Sequence, residues 1–99
     1  MALLDDKLSE LEEFLRECQV YGWANRIDEL LHSKLSLPHR ATKVRSWFGG
    51  MGNLDDVIIC RENGDAIADR DYERVNGKFR HFLAEIRVLA EMVRQEFGG

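Results

Sequence analysis

Cysteine is scarce in this chain, and the two present, Cys18 and Cys60, form no metal-ligand spacing. No Cys-x-x-Cys or His-x-x-x-His pattern occurs, and His32, His39 and His81 lie in three different segments, so a metal centre is not expected. Each cysteine has apolar neighbours, which fits two reduced core thiols rather than a disulfide. Apolar runs are short: none approaches the roughly 20 residues of a membrane-spanning helix. A secretory leader is not expected, since the first helical pattern is not preceded in this sequence by a basic-then-apolar run. A cytoplasmic protein of a reducing compartment is the resulting expectation. Proline is reduced to Pro38 alone, leaving most helical patterns uninterrupted.

Ninety-nine residues make one domain spanning 1–99, large enough for a core without staples. The net charge of −4 is unevenly spread. Residues 1–35 carry eight acids against four bases, whereas residues 36–50 carry Arg40, Lys43 and Arg45 and no acid. Residues 51–70 turn acidic again through Asp55, Asp56, Glu62, Asp65 and Asp69. A mostly acidic surface around a small basic island is expected, and such a field acts on association more than on fold.

Periodicity predicts helices. Leu4, Leu8, Leu11, Leu15 and Cys18 alternate at four and three, the spacing of one helical face. Gly22 is the expected break. A second helix is predicted over 23–34, with Trp23, Ile27, Leu30 and Leu31 inward and antiparallel to the first. Pro38 suits the first turn of a third helix, carrying Ala41, Val44 and Phe48 inward and ending at Gly49. The strongest pattern runs through Tyr72, Val75, Phe79, Phe82, Ile86, Leu89 and Val93. It predicts one long helix over 70–97, capped by Asp69. Packing against the first helices is favoured over a homodimer seam, since those helices also need a partner.

Between the third and last helices, Asp56-Val57-Ile58-Ile59-Cys60-Arg61 is a β-branched run, followed by Asn63-Gly64 and a short apolar arm. Asn-Gly between such arms is a strong hairpin signal. The predicted fold is therefore mainly α (α+β): a bundle of three to four helices with one short β-hairpin before the long C-terminal helix.

No catalytic constellation stands out, and an enzyme is not expected. Asp55 and Asp56 are adjacent, which in a strand sends them to opposite faces rather than into a shared acid–base pair. Gly49, Gly50 and Gly52 surround Met51, but they follow a helix and bring no lysine, unlike a phosphate-cradling loop. A helix cap and chain reversal is the plain reading of these glycines, and a rigid exposed loop presenting Met51 and Asn53 to another protein is the sharper alternative. Arg40, Lys43, Arg45, Trp47 and Phe48 mix cations with aromatics, yet three cations in an acidic surround release too few counterions for firm nucleic-acid binding. No cofactor is implied.

Trp23 with Ile27 and Leu30, the turn Phe48-Gly49-Gly50-Met51-Gly52-Asn53-Leu54-Asp55-Asp56, and the final amphipathic helix together resemble a family of small bacterial proteins. That family carries a Phe-Gly-Gly-Met-Gly-Ser-Leu-Asn-Asp-like signature, and several members stand beside antibacterial toxins. Asn53 and Asp55 depart from its serine and asparagine. The resemblance, which runs from about Leu8 to Val93, implies an immunity protein that binds and neutralises a cognate toxin. The expected interface is acidic: Glu13, Glu17, Asp28, Asp55 and Asp56, with Met51 and Asn53, would cover a basic toxin cleft. The alternative is a small helical adaptor or regulatory module, dimeric through its last helix, with weak nucleic-acid contact.

Overall fold

The computed structural model describes residues 3–48, 53–54, 57, 59 and 68–97. Four helices account for most of them: α1 (Leu3–Glu17), α2 (Tyr21–Leu31), α3 (Leu37–Arg45) and α4 (Tyr72–Glu96), with a 3₁₀ turn at Asp69–Asp71 leading into α4. α1 packs on α2 and α4, and α3 packs on α4. α4 is therefore the wall shared by α1 and α3, while α2 joins the bundle through α1.

The α1 stripe is buried as its spacing requires: Leu4, Leu8, Leu11 and Leu15 are at most 1% exposed, with Phe14 and Cys18 beside them. Its end differs from expectation. Gln19, not Gly22, takes the left-handed conformation, at φ 61°. The Val20 amide donates to the Leu15 carbonyl at 2.8 Å and the Gln19 amide to the Arg16 carbonyl at 3.0 Å. This pair of bonds is a Schellman motif, which satisfies two carbonyls that the helix end would otherwise orphan. Gly22 instead lies inside the first turn of α2.

α2 begins two residues earlier and ends three residues sooner than predicted, burying Ala24, Ile27 and Leu30, while Trp23 and Leu31 pack at the edge of the core. Pro38 does stand in the first turn of α3. That helix stops at Arg45 rather than Gly49, and hydrogen-bonded turns carry the chain on to Phe48. Trp47 is buried there, with its ring edge-on to Trp23 at 5.6 Å between centroids. Such tilted aromatic pairs are the favoured geometry.

α4 turns Val75, Phe79, Leu83, Ile86, Ala90 and Val93 inward, while Phe82 and Leu89 flank the core and Tyr72 is exposed. Its stripe faces α1 and α3 of its own chain. The N-cap position belongs to Asp71, without a side-chain capping bond, rather than to Asp69. Ion pairs between helices fasten the bundle's flanks. Arg40 on α3 donates to Asp5 on α1 at 2.8 Å, and Lys7 on α1 meets Glu85 on α4 at 2.7 Å.

The expected α+β class is corrected to an all-helical one: no strand occurs among the described residues. Val57 and Ile59, both in the predicted first arm, have non-strand backbone. Ile59 is fully buried, and its N–H and C=O are both taken by the side-chain amide of Asn76 on α4, each at 2.8 Å. An asparagine amide offers one acceptor and two donors, so it substitutes for the neighbouring strand that this buried backbone would otherwise require. The Asn63-Gly64 turn and Ala66 and Ile67 of the second arm lie outside the described residues, as does Cys60, and Ala68 has non-strand backbone.

Candidate partner-binding surface

The acidic surface is built on the outward face of α1. At 3.6 residues per turn, positions separated by three and four share a face. Asp6, Glu10, Glu13 and Glu17 follow that spacing, and all four are exposed. They lie opposite the Leu4, Leu8, Leu11, Leu15 stripe, so the same helix buries its apolar face and presents four carboxylates. Glu13 and Glu17 were expected in the interface. Asp6 and Glu10 were not, although the repeat that includes them is visible in the sequence.

Most cations near α1 are directed elsewhere and leave the stripe negative. Arg16 pairs with Glu12 at 2.9 Å, Lys7 with Glu85 at 2.7 Å, and only a longer 3.5 Å contact joins Lys7 to Glu10. The hydrogen bond from Lys7 pulls the Glu85 carboxyl below its usual range, and the same contact raises Lys7. Both effects favour the charged forms, as expected for opposite charges in contact.

Asp28 occupies a different place. It is half-buried on α2 and binds His32 one turn on, with Nδ1 at 2.9 Å from the Asp28 carbonyl and 3.0 Å from its carboxylate. His32 is raised above its ordinary value, first by the hydrogen bond to the Asp28 backbone and then by the Asp28 and Glu12 charges. Asp28 is thus committed to a local pair. Asn53 is half-buried, beside the buried Leu54 whose amide donates to the Trp47 carbonyl at 2.8 Å. Phe48 is half-buried with the Arg87 guanidinium 5.2 Å from its ring centre. Met51, Asp55, Asp56, Gly49, Gly50 and Gly52 lie outside the described residues.

The basic island is largely spent on internal contacts. Arg40 is held by Asp5, and Arg45 lies 3.6 Å from Glu91. Hydrogen bonding from Arg94 lowers the Glu91 carboxyl, with Arg94 and Arg45 adding their charges. Lys43 alone of the three is unpaired among the described residues. Those residues also hold no group of three or more His, Cys, Asp or Glu placed to bind a metal ion, and no helix among them is long and apolar enough to cross a membrane.

Residues 16–68 match the family described as "Domain of unknown function (DUF6966)". The chain belongs to that family. The DUF6966 match takes in the end of α1, all of α2 and α3, and the residues from there to Ala68. It leaves outside it Asp6, Glu10 and Glu13 as well as the whole of α4. No curated protein and no solved structure matches the chain.

Proposed function

We propose that this protein is an immunity protein that binds a cognate antibacterial toxin in the cytoplasm and covers its active site. The observation that carries this reading is the exposed line of Asp6, Glu10, Glu13 and Glu17 on α1. Toxins that cut or modify nucleic acids need basic clefts, and an acidic helix face is complementary to such a cleft in sign. Complementary fields accelerate encounter and reject wrong partners. The sequence resemblance to toxin-associated proteins points the same way.

The adaptor alternative needs a basic surface for nucleic acid, and the ion pairs of Arg40 with Asp5 and of Arg45 with Glu91 work against it. Each phosphate contact requires a cation available for counterion exchange.

The test is to use the tagged chain as bait in a lysate of its native bacterium, and to co-express what it captures in stoichiometric yield. A captured protein that arrests growth alone, and is silenced by this chain, supports immunity. Recovery only of the bait itself or of nucleic acid would overturn it.

A further inference from the structure

We propose that the cleft between α2 and α3 binds a free α-amino acid with an apolar side chain. The cleft has a volume of about 390 Å³, within the range of small-ligand sites. Leu30 and Trp47 form its buried floor, and Leu35, 42% exposed, stands at its mouth. Three charged residues complete the lining: Arg26 and Glu29 on α2, one turn apart, and Lys43 facing them from α3.

None of these three charges is paired. Arg26, Glu29 and Lys43 form no ion pair among the described residues, whereas most other charged groups near the bundle seams do. Arg26 is instead stacked over the Trp23 ring at 4.4 Å, which fixes its position through a cation–π contact. Trp23 in turn meets Trp47 edge-on. The hydroxyl of Ser33 is already engaged, donating to the Leu30 carbonyl at 2.7 Å and accepting from the Leu35 amide at 3.4 Å. It shapes the wall and leaves recognition to the charges.

The lining thus offers two cations, one carboxylate and an apolar floor. A zwitterion complements all of them together: its carboxylate meets Arg26 and Lys43, its ammonium meets Glu29, and its side chain covers Leu30 and Trp47. A simple monoanion would leave Glu29 opposed to it. A dianion such as a phosphate monoester would carry more charge than the cleft's net +1 and too little apolar surface. Charge-assisted hydrogen bonds of this type give orientation as well as affinity.

Isothermal titration of the full chain with L-leucine and L-phenylalanine tests the assignment, alongside N-acetyl-L-leucine and L-leucinamide, which each lack one charge. The expected result is saturable binding of the free amino acids at millimolar concentration or below, with each blocked analogue at least about tenfold weaker. Lys43→Gln and Glu29→Gln, both at exposed positions, should retain the wild-type circular dichroism spectrum and weaken leucine binding by a similar factor. No heat up to about 10 mM ligand, equal binding of the blocked analogues, or unchanged binding by both folded variants would overturn the proposal. The outcome is independent of whether a toxin is captured, since no residue of the α1 acidic face takes part.

Discussion

The side chain of Asn76 holds the backbone of Ile59 from both sides, accepting from its N–H and donating to its carbonyl at 2.8 Å each. The same amide nitrogen also donates to the Tyr72 carbonyl at 2.8 Å. One side chain on α4 thereby satisfies a fully buried peptide segment 17 residues away in sequence. Replacing Asn76 with alanine would leave both Ile59 groups buried without partners, at about 1–3 kcal/mol each. A loss of about 2–4 kcal/mol in urea unfolding is expected for Asn76→Ala. Asn76→Asp should also destabilise, because a carboxylate cannot donate and its charge would be buried. A loss under about 0.5 kcal/mol for both variants would show that the clamp does not contribute as described.

Gln19 at the end of α1 takes a conformation that glycine adopts without strain. Gln19→Gly should therefore stabilise the protein by up to about 1 kcal/mol, the left-handed penalty outweighing the flexibility glycine adds to the unfolded chain. A melting temperature that falls would contradict the Schellman assignment.

Gly77 lies within α4, and a methyl group built on it meets nothing within 4 Å. No close neighbour explains the glycine. Gly77→Ala should add about 1 kcal/mol from helix propensity alone, seen as a higher denaturation midpoint with an unchanged slope. Destabilisation would indicate a packing constraint at that position.

Two titrations bound the pH profile from opposite sides. Glu85 and Glu91 have lowered folded-state values relative to 4.5, so their contribution is present above about that pH and is lost as pH falls through the lower folded values. His32 is raised above 6.5, so its contribution is complete below that pH and is lost as pH rises through the raised folded value. Glu85→Gln should flatten the acid side of the stability curve, and His32→Asn the neutral side. All three groups are solvent-accessible, which keeps each effect small. Identical curves for wild type and both variants would remove the Glu85 and His32 pairs from the stability account.

Glu13→Lys with Glu17→Lys reverses half of the α1 acidic face at exposed positions. Stability should change by less than about 0.5 kcal/mol, while the association rate with a captured toxin should fall at least about tenfold and lose much of its salt dependence. Unchanged kinetics would remove this face from the interface.

The helical stripes were legible because burial repeats with the helix itself: Leu4 to Cys18, Ile27 and Leu30, Ala41 and Val44, and Val75, Phe79, Ile86 and Val93 are where spacing puts them, while Leu83 and Ala90 are buried in place of the expected Phe82 and Leu89. Other features depend on partners distant in sequence. Val57 to Cys60 has the β-branched character of a strand, but the Ile59 backbone finds its hydrogen bonds on an α4 asparagine, which local propensity cannot register. Helix ends were displaced for a similar reason, since at Gln19 two backbone bonds outweighed the preference for glycine. The acidic face is legible only in part: the expected interface includes Glu13 and Glu17, whereas Asp6 and Glu10 share their repeat and are not in it. Arg40 also looked like part of a basic island until α1 brought Asp5 to it.

The outward and inward faces of α1 answer to different selection. Substitutions at Leu8 or Leu11 disturb a packed interior and cost stability, whatever the partner. Asp6, Glu10, Glu13 and Glu17 touch no part of that interior, so their charges are able to drift, reverse or be recruited while the bundle stays intact. A lineage built on this scaffold has room to change what it recognises one surface residue at a time, without passing through an unfolded ancestor.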